Sequence, residues 1–211
     1  MIESNFKKYS PLEKLNVSRE TFPVLEEFRS LLVNENQKIN LISKSTVKDS
    51  INRHILDTAQ IIDIIDKNSK SCIDLGSGSG LPGIVLAIIF KKKGSKIKFE
   101  LYEKSQKKSN FLQKMINHFE LNAEVKKKNI FEEKELEADL VVARAFKPLK
   151  IILELINKNF AHYNELIFFL GESGREIIKE CLITWNFDYQ IIKSLTDKNS
   201  VIVKIKSLKK K

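Results

Sequence analysis

The sequence predicts an α/β protein built on a seven-strand, mostly parallel sheet. Three observations carry this reading. From residue 71 onward, short β-branched runs alternate with amphipathic helical stretches. Four of the seven glycines, Gly76, Gly78, Gly80 and Gly83, crowd between the first such run and the first such helix. The last two runs are separated only by KSLTDKNS, which is rich in turn formers and too short for a helix, so they should close the sheet edge as an antiparallel hairpin.

Residues 1–70 read as an N-terminal helical cap. FPVLEEFRSLLVNEN places Phe22, Leu25, Phe28, Leu31 and Leu32 on one stripe at helical spacing, and INRHILDTAQIIDIID repeats the pattern through Ile51, Ile55, Ile61, Ile62 and Ile65. NQKINLISKST, between them, has no clean period and reads as a connector. Residues 71–211 form the α/β part, with strands expected over 72–75, 97–102, 123–126, 140–143, 166–170, 189–192 and 201–205. Its helices are expected over 82–90, 105–121, 148–159 and 174–184. Ser105 suits an N-cap. Behind it Phe111, Leu112, Met115, Ile116 and Phe119 form the buried face, while Lys107, Lys108 and Lys114 point outward. Pro148 suits a first helical turn. The tail KSLKKK reads as a solvated terminus.

Composition narrows the class. The longest apolar run, residues 84–90, stops at Lys91 and falls short of the ~20 residues that span a bilayer. MIESNFKKYS has no apolar signal-peptide core. Cys72 and Cys181 lie far apart without metal-ligand spacing, so they read as buried hydrophobes rather than a disulfide or a zinc site. The expectation is a soluble, cytoplasmic monomer with no membrane and no metal. The net charge of +10, from 37 basic and 27 acidic side chains, suits a polyanionic partner, though a lysine-rich solvated surface would give the same balance. Only five of the basic residues are arginine: Arg19, Arg29, Arg53, Arg144 and Arg175. Lysine is the default cation, so each arginine marks a place where a planar, forked donor is required.

The glycine stretch IDLGSGSGLPGIVLAI lies at the carboxyl end of the first strand, where open α/β sheets bind ligands. Gly78-x-Gly80-x-x-Gly83 satisfies the dinucleotide fingerprint. Two details argue against a diphosphate: Asp74 would set a negative charge beside it, and Pro82 removes an N–H from the turn. D-x-G-x-G-x-G fits S-adenosylmethionine, whose charged groups are a sulfonium and an ammonium beside its own carboxylate. Glu103, at the end of the second strand, is placed to accept both ribose hydroxyls. A glycine-loop sheet closed by an antiparallel hairpin resembles the Rossmann-like, class I S-adenosylmethionine-dependent methyltransferase fold more than the dehydrogenase one.

RHILDTAQ, IDLGSGSGLPGIVLAI, LYEKSQKKSNFLQKM and VVARAFKPL follow one another in this order. Together they resemble the small-subunit (16S) ribosomal RNA guanine-N7 methyltransferase family, also called glucose-inhibited division protein B, over about residues 30–175. The resemblance implies methyl transfer from S-adenosylmethionine to N7 of one guanosine in 16S rRNA, on the free RNA or within the small ribosomal subunit. It implies that Asp74, Gly76, Gly78 and Leu81 serve the cofactor from the glycine loop, that Glu103 holds the ribose, and that Asn129 and Ile130 flank the adenine. Arg144 would line the cofactor and target pocket, and Arg53 and His54 would face RNA at its mouth. Two positions depart from the family pattern. Ile130 stands where an acidic residue is common, and Leu170 where a lysine is common; Arg175 is the nearby residue that could stand in for that lysine.

Guanine N7 carries an in-plane lone pair and no proton, so attack on a sulfonium methyl needs no general base. No catalytic base is therefore assigned. Orientation carries the reaction, with Arg144 or Arg53 as the forked donor to guanine or phosphate, and Asp57 or Asp74 as balance for the cationic product. Lys107, Lys108 and the run Lys126, Lys127, Lys128 are either RNA contacts or a solvated face. Two other functions compete: a nicotinamide-dependent oxidoreductase, and a non-catalytic factor that clamps rRNA.

Overall fold

The computed structural model describes residues 7–211; residues 1–6 of the expected helical cap lie outside the described residues. The first long helix, α1, is Phe22–Glu35, with Pro23 in its first turn. Seven strands follow: β1 Ser71–Leu75, β2 Lys98–Tyr102, β3 Ala123–Lys126, β4 Leu136–Arg144, β5 Phe160–Leu170, β6 Trp185–Lys193 and β7 Val201–Lys210. The helices between them are α2 Gly83–Lys92, α3 Gln106–Phe119, α4 Leu149–Asn159 and α5 Gly174–Thr184. The strands lie in the order β3-β2-β1-β4-β5-β7-β6. β1 to β5 pair in parallel, and β7 runs antiparallel between β5 and β6. The expected sheet, its hairpin and its helices are all present.

Two apolar layers sandwich this sheet. One holds α2, α3 and the N-terminal helical segment; the other holds α4, α5 and Trp185. The run Ile84–Ile89 is buried on every side of α2. A helix apolar all round must be covered all round, and here the segment bearing Phe28, Leu32 and Ile55 supplies the second cover. Both cysteines are buried free thiols. Among the described residues, no helix is long and apolar enough to cross a membrane.

The structure differs from the sequence reading in several places; β5 and β6 begin earlier than expected, at Phe160 and Trp185. The helix expected through residue 65 is shorter: Ile51–Leu56 is a π-helical turn, Asp57–Ala59 a single α-turn, and turns follow. The Gln60 side-chain amide takes the Asp57 carbonyl at 2.8 Å, the acceptor that the next helical N–H would need. β4 begins before its apolar centre, because Leu136 and Ala138 alternate inward while Glu137 faces out. KSLKKK is not a free tail: β7 runs through it, pairing Lys210 with Trp185, and Lys210 Nζ reaches Glu154 at 2.8 Å. Ser105 occupies the N-cap of α3, but its side chain makes no capping bond.

Candidate functional site

The register of the parallel strands builds the site. Leu75 lies beside Tyr102, and Asp74 beside Val142, so Gly76, Glu103 and Arg144 leave the sheet together at one edge. Leu170 lies beside Val201, which brings the β6–β7 loop to the same edge. Between these ends opens a cleft of about 820 Å³, within the range of small-molecule sites. Gly76, Gly78, Leu81, Glu103, Asn129, Ile130, Arg144, Arg53 and His54 all line it. Asp74, Lys107, Lys126, Lys127 and Arg175, also singled out from the sequence, do not.

Asp74 is 1 % exposed and turns inward, where its Oδ2 accepts the Gly83 N–H at 3.1 Å. Its Oδ1 is buried without a hydrogen-bond partner. Burial pushes this carboxyl up to about 7, against the lowering effect of the Gly83 N–H. Asp74 therefore ties the loop to the start of α2 rather than presenting a charge to the cleft.

Glu103, 9 % exposed, accepts the Gly78 N–H on Oε2 at 3.1 Å and the Ser105 N–H on Oε1 at 2.7 Å. Each oxygen keeps a lone pair for a further donor. At Gly78 φ is +56°, and a β-carbon there would meet only the Gly76 carbonyl, at 3.7 Å. That emptiness is the cradle a ligand fills. Four of the loop's donors are spent: the N–H groups of Ser77, Gly78, Gly80 and Gly83 go to Tyr102 O, Glu103, Ser77 O and Asp74. A diphosphate draws on such donors; a ribose held by Glu103 does not. The residues present fit S-adenosylmethionine.

Past β3, Asn129 Oδ1 caps the short turn Ile130–Glu132 by accepting the Phe131 N–H, and Ile130 is buried beneath it. Phe131 is 39 % exposed and stacks on Phe146, with ring centroids 5.9 Å apart at 27°. Both rings line the cleft, and nothing in their sequence spacing marks them. Ala145, between Arg144 and Phe146, has φ +52°, a costly conformation for a residue with a β-carbon.

The RHILD segment sits opposite the glycine loop, on the π-helical turn, a form of helix common at functional sites. Arg53 is exposed at the mouth and binds Asp197 at 3.2 Å. His54 lies deeper than a surface contact with RNA requires: it is 6 % exposed, with Nε2 on Thr46 Oγ1 at 2.8 Å. Burial, aided by the nearby Arg144 charge, lowers its pKa to about 4, so it is neutral. Arg144 donates from Nε to Asp57 Oδ2 at 2.8 Å and from Nη2 to the Arg53 carbonyl at 2.7 Å.

Of the remaining candidates, Leu170 lines the cleft, but Arg175 is exposed on α5 outside it and does not stand in for a lysine there. Lys104, Lys108, Lys128 and Lys147 line the cleft. Lys126 pairs with Glu124, and Lys127 donates to Gln106. Among the described residues no cluster of three or more His, Cys, Asp or Glu could hold a metal ion.

Comparison with known proteins bears on this site. A family model described as rRNA small subunit methyltransferase G matches residues 22–205. A Pelagibacter ubique protein named ribosomal RNA small subunit methyltransferase G is 46 % identical over 212 aligned residues, covering 100 % of both chains. A protein of the same name from Cereibacter sphaeroides is 35 % identical, covering 94 % of this chain and 97 % of its own. Among solved structures, an S-adenosylmethionine-dependent methyltransferase from Aquifex aeolicus superposes with TM-score 0.55 at 13 % identity, covering 79 % of this chain and 98 % of that one. At that identity the likeness is one of fold.

Proposed function

Since the chain belongs to the rRNA small subunit methyltransferase G family, whose members methylate 16S rRNA with S-adenosylmethionine, we propose that its target atom is N7 of a guanosine. In this reading the enzyme is a cytoplasmic monomer that uses no metal. Bound S-adenosylmethionine supplies an electrophilic methyl group on a sulfonium.

Each residue's part follows from its surroundings. Glu103 accepts the ribose hydroxyls with the lone pairs that Gly78 and Ser105 leave free. Gly76, Gly78 and Leu81 give the cofactor a close backbone wall, and Asp74 holds that wall to α2. Asn129 and Ile130 shape the adenine end. Arg144 donates to the target guanine, and Arg53, with the lysines at the cleft, meets the RNA backbone. The helical segment before β1 acts as the cap that carries Arg53 to the mouth, with His54 buried behind it.

One observation carries the choice of N7: the carboxylates at the cleft are engaged by other donors, Asp57 by Arg144 and Thr196, Asp197 by Arg53, and Glu103 by two backbone N–H groups. The imidazole there, His54, is 6 % exposed, with Nε2 on Thr46 and Nδ1 buried without a partner. A nucleophile that carries no proton suits such a site. RNA's deep, narrow major groove hides N7 in a helix, so the target is a loop or extruded nucleotide.

The test is transfer of labelled methyl from S-adenosylmethionine to purified 16S rRNA and to small subunits, followed by mass mapping. One N7-methylguanosine is expected; label at a carbon, a ribose or an exocyclic amine would overturn the assignment.

A further inference from the structure

Resting on the reading of Arg144 as the guanine donor, we infer that Asp57 is a positioning residue for methyl transfer, and that it couples Arg144 to the β6–β7 loop, residues 194–200. Asp197 of that loop already holds Arg53.

The geometry is a clamp of three elements distant in sequence. Asp57, on the helical cap, accepts Arg144 Nε on Oδ2 at 2.8 Å and Thr196 Oγ1 on Oδ1 at 2.7 Å. Gln60, one turn further on, closes the same joint: its Oε1 accepts the Leu195 N–H at 2.7 Å, and its Nε2 holds Asp57 Oδ1 at 3.0 Å. The Arg53 carbonyl takes one Nη2 hydrogen of Arg144. Two of the five guanidinium donors are therefore fixed on the cap. The planar fork then has one orientation, and its other donors remain for the cleft that Arg144 lines.

Thr196 also lines the cleft. Its hydroxyl donates to Asp57 Oδ1, so this carboxylate joins the aim of Arg144 to a loop that Gln60 and Arg53 also hold, through the Leu195 N–H and Asp197. Asp57 does not itself have to touch the base. A carboxylate that binds an arginine on one oxygen and a loop on the other holds two walls of a pocket in register.

The experiment compares Asp57→Asn, Thr196→Val and Arg144→Lys, alone and combined. Single-turnover methyl transfer to small subunits is measured beside calorimetric S-adenosylmethionine affinity. Asp57→Asn puts an amide against Arg144 and should slow transfer by roughly ten- to a hundredfold, the scale of a misplaced reactant. Thr196→Val, on a partly exposed loop, should slow it by roughly threefold or more through one lost hydrogen bond. Cofactor affinity should stay unchanged in both, which a merely structural role would not allow. Adding Asp57→Asn to Arg144→Lys should cost no more than Arg144→Lys alone.

Wild-type rates in Thr196→Val and Asp57→Asn, or losses that multiply in the double variant, would overturn the inference, as would an unimpaired Arg144→Lys. If Asp57→Asn does not fold, the Thr196→Val and Arg144→Lys pair decides by the same rule. Failure of the underlying reading is seen separately, as wild-type protein that leaves no methyl at guanine N7.

Discussion

The Phe146 ring fills the space beside Gly76 so closely that a β-carbon on Gly76 would stand 2.2 Å from its Cδ2 and 2.7 Å from its Cε2. Gly76 also has φ +67°. Glycine is thus required twice over, by backbone conformation and by the ring. Gly76→Ala should cost about 1–2 kcal/mol for the left-handed backbone, plus the displacement of Phe146. Cofactor affinity should fall with the loop. In a double-mutant cycle with Phe146→Ala, part of the loss in thermal stability should return, leaving the backbone share.

Glu103→Gln tests the ribose contact. The amide keeps the shape but gives up one acceptor oxygen, so either the Gly78 or the Ser105 N–H loses its partner. Hydrogen bonds to a charged group contribute about 1.5–3 kcal/mol. Calorimetry should show S-adenosylmethionine binding weakened roughly ten- to a hundredfold. A dissociation constant within a factor of two of wild type would remove Glu103 from the cofactor site.

Asp74 makes stability depend on pH. Its carboxyl, raised from 3.8 to about 7, stays protonated in the fold where the unfolded chain has released its proton. The contribution is fully present below pH 3.8 and is lost as pH rises through about 7. Asp74→Asn keeps an acceptor for the Gly83 N–H and removes the titration. Its melting temperature should gain on wild type steadily between pH 4 and 8, and a constant difference across that range would contradict the burial argument.

His54 acts in the opposite sense. Its pKa falls from 6.5 to about 4, so the unfolded chain binds a proton that the fold refuses. Stability from this group is present above pH 6.5 and is lost as pH falls toward 4. His54→Gln should lessen acid sensitivity in that window, read from melting curves at pH 7 and pH 4.5. The same lowered pKa predicts that, in the Asp74→Asn background, the rate of methyl transfer shows no ionisation near 6.5.

The alternation after residue 71, the hairpin and the glycine loop were legible because each rests on local signals: β-branched runs, helical periodicity, turn residues. Glu103 was legible as an acid at a strand end. Asp74 was visible but misdirected. Its place two residues before Gly76 says nothing about which way the carboxylate turns, and the Gly83 N–H draws it inward. His54 reads as a surface contact until its bond to Thr46 is known. The Asp57–Arg144 pair spans 87 residues and exists only because the cap packs over the end of β4. Phe131 carried no signal, and Phe146, though inside VVARAFKPL, was given no role, since a phenylalanine near a strand end is ordinary until two strand ends bring two of them together. The extension of β7 through KSLKKK escaped for a related reason: its pairing with β6 is a backbone ladder, which a run of lysines does not advertise.

The left-handed backbone of Ala145 has a consequence for how this site can vary. One dihedral angle aims both its neighbours, the guanidinium on one side and the ring on the other. A bulkier or branched side chain there would swing the two together, whatever their own identities. Sequence drift can retouch Arg144 or Phe146 singly, but through Ala145 it can only move them as a pair; glycine and asparagine are the replacements that leave that joint aim intact.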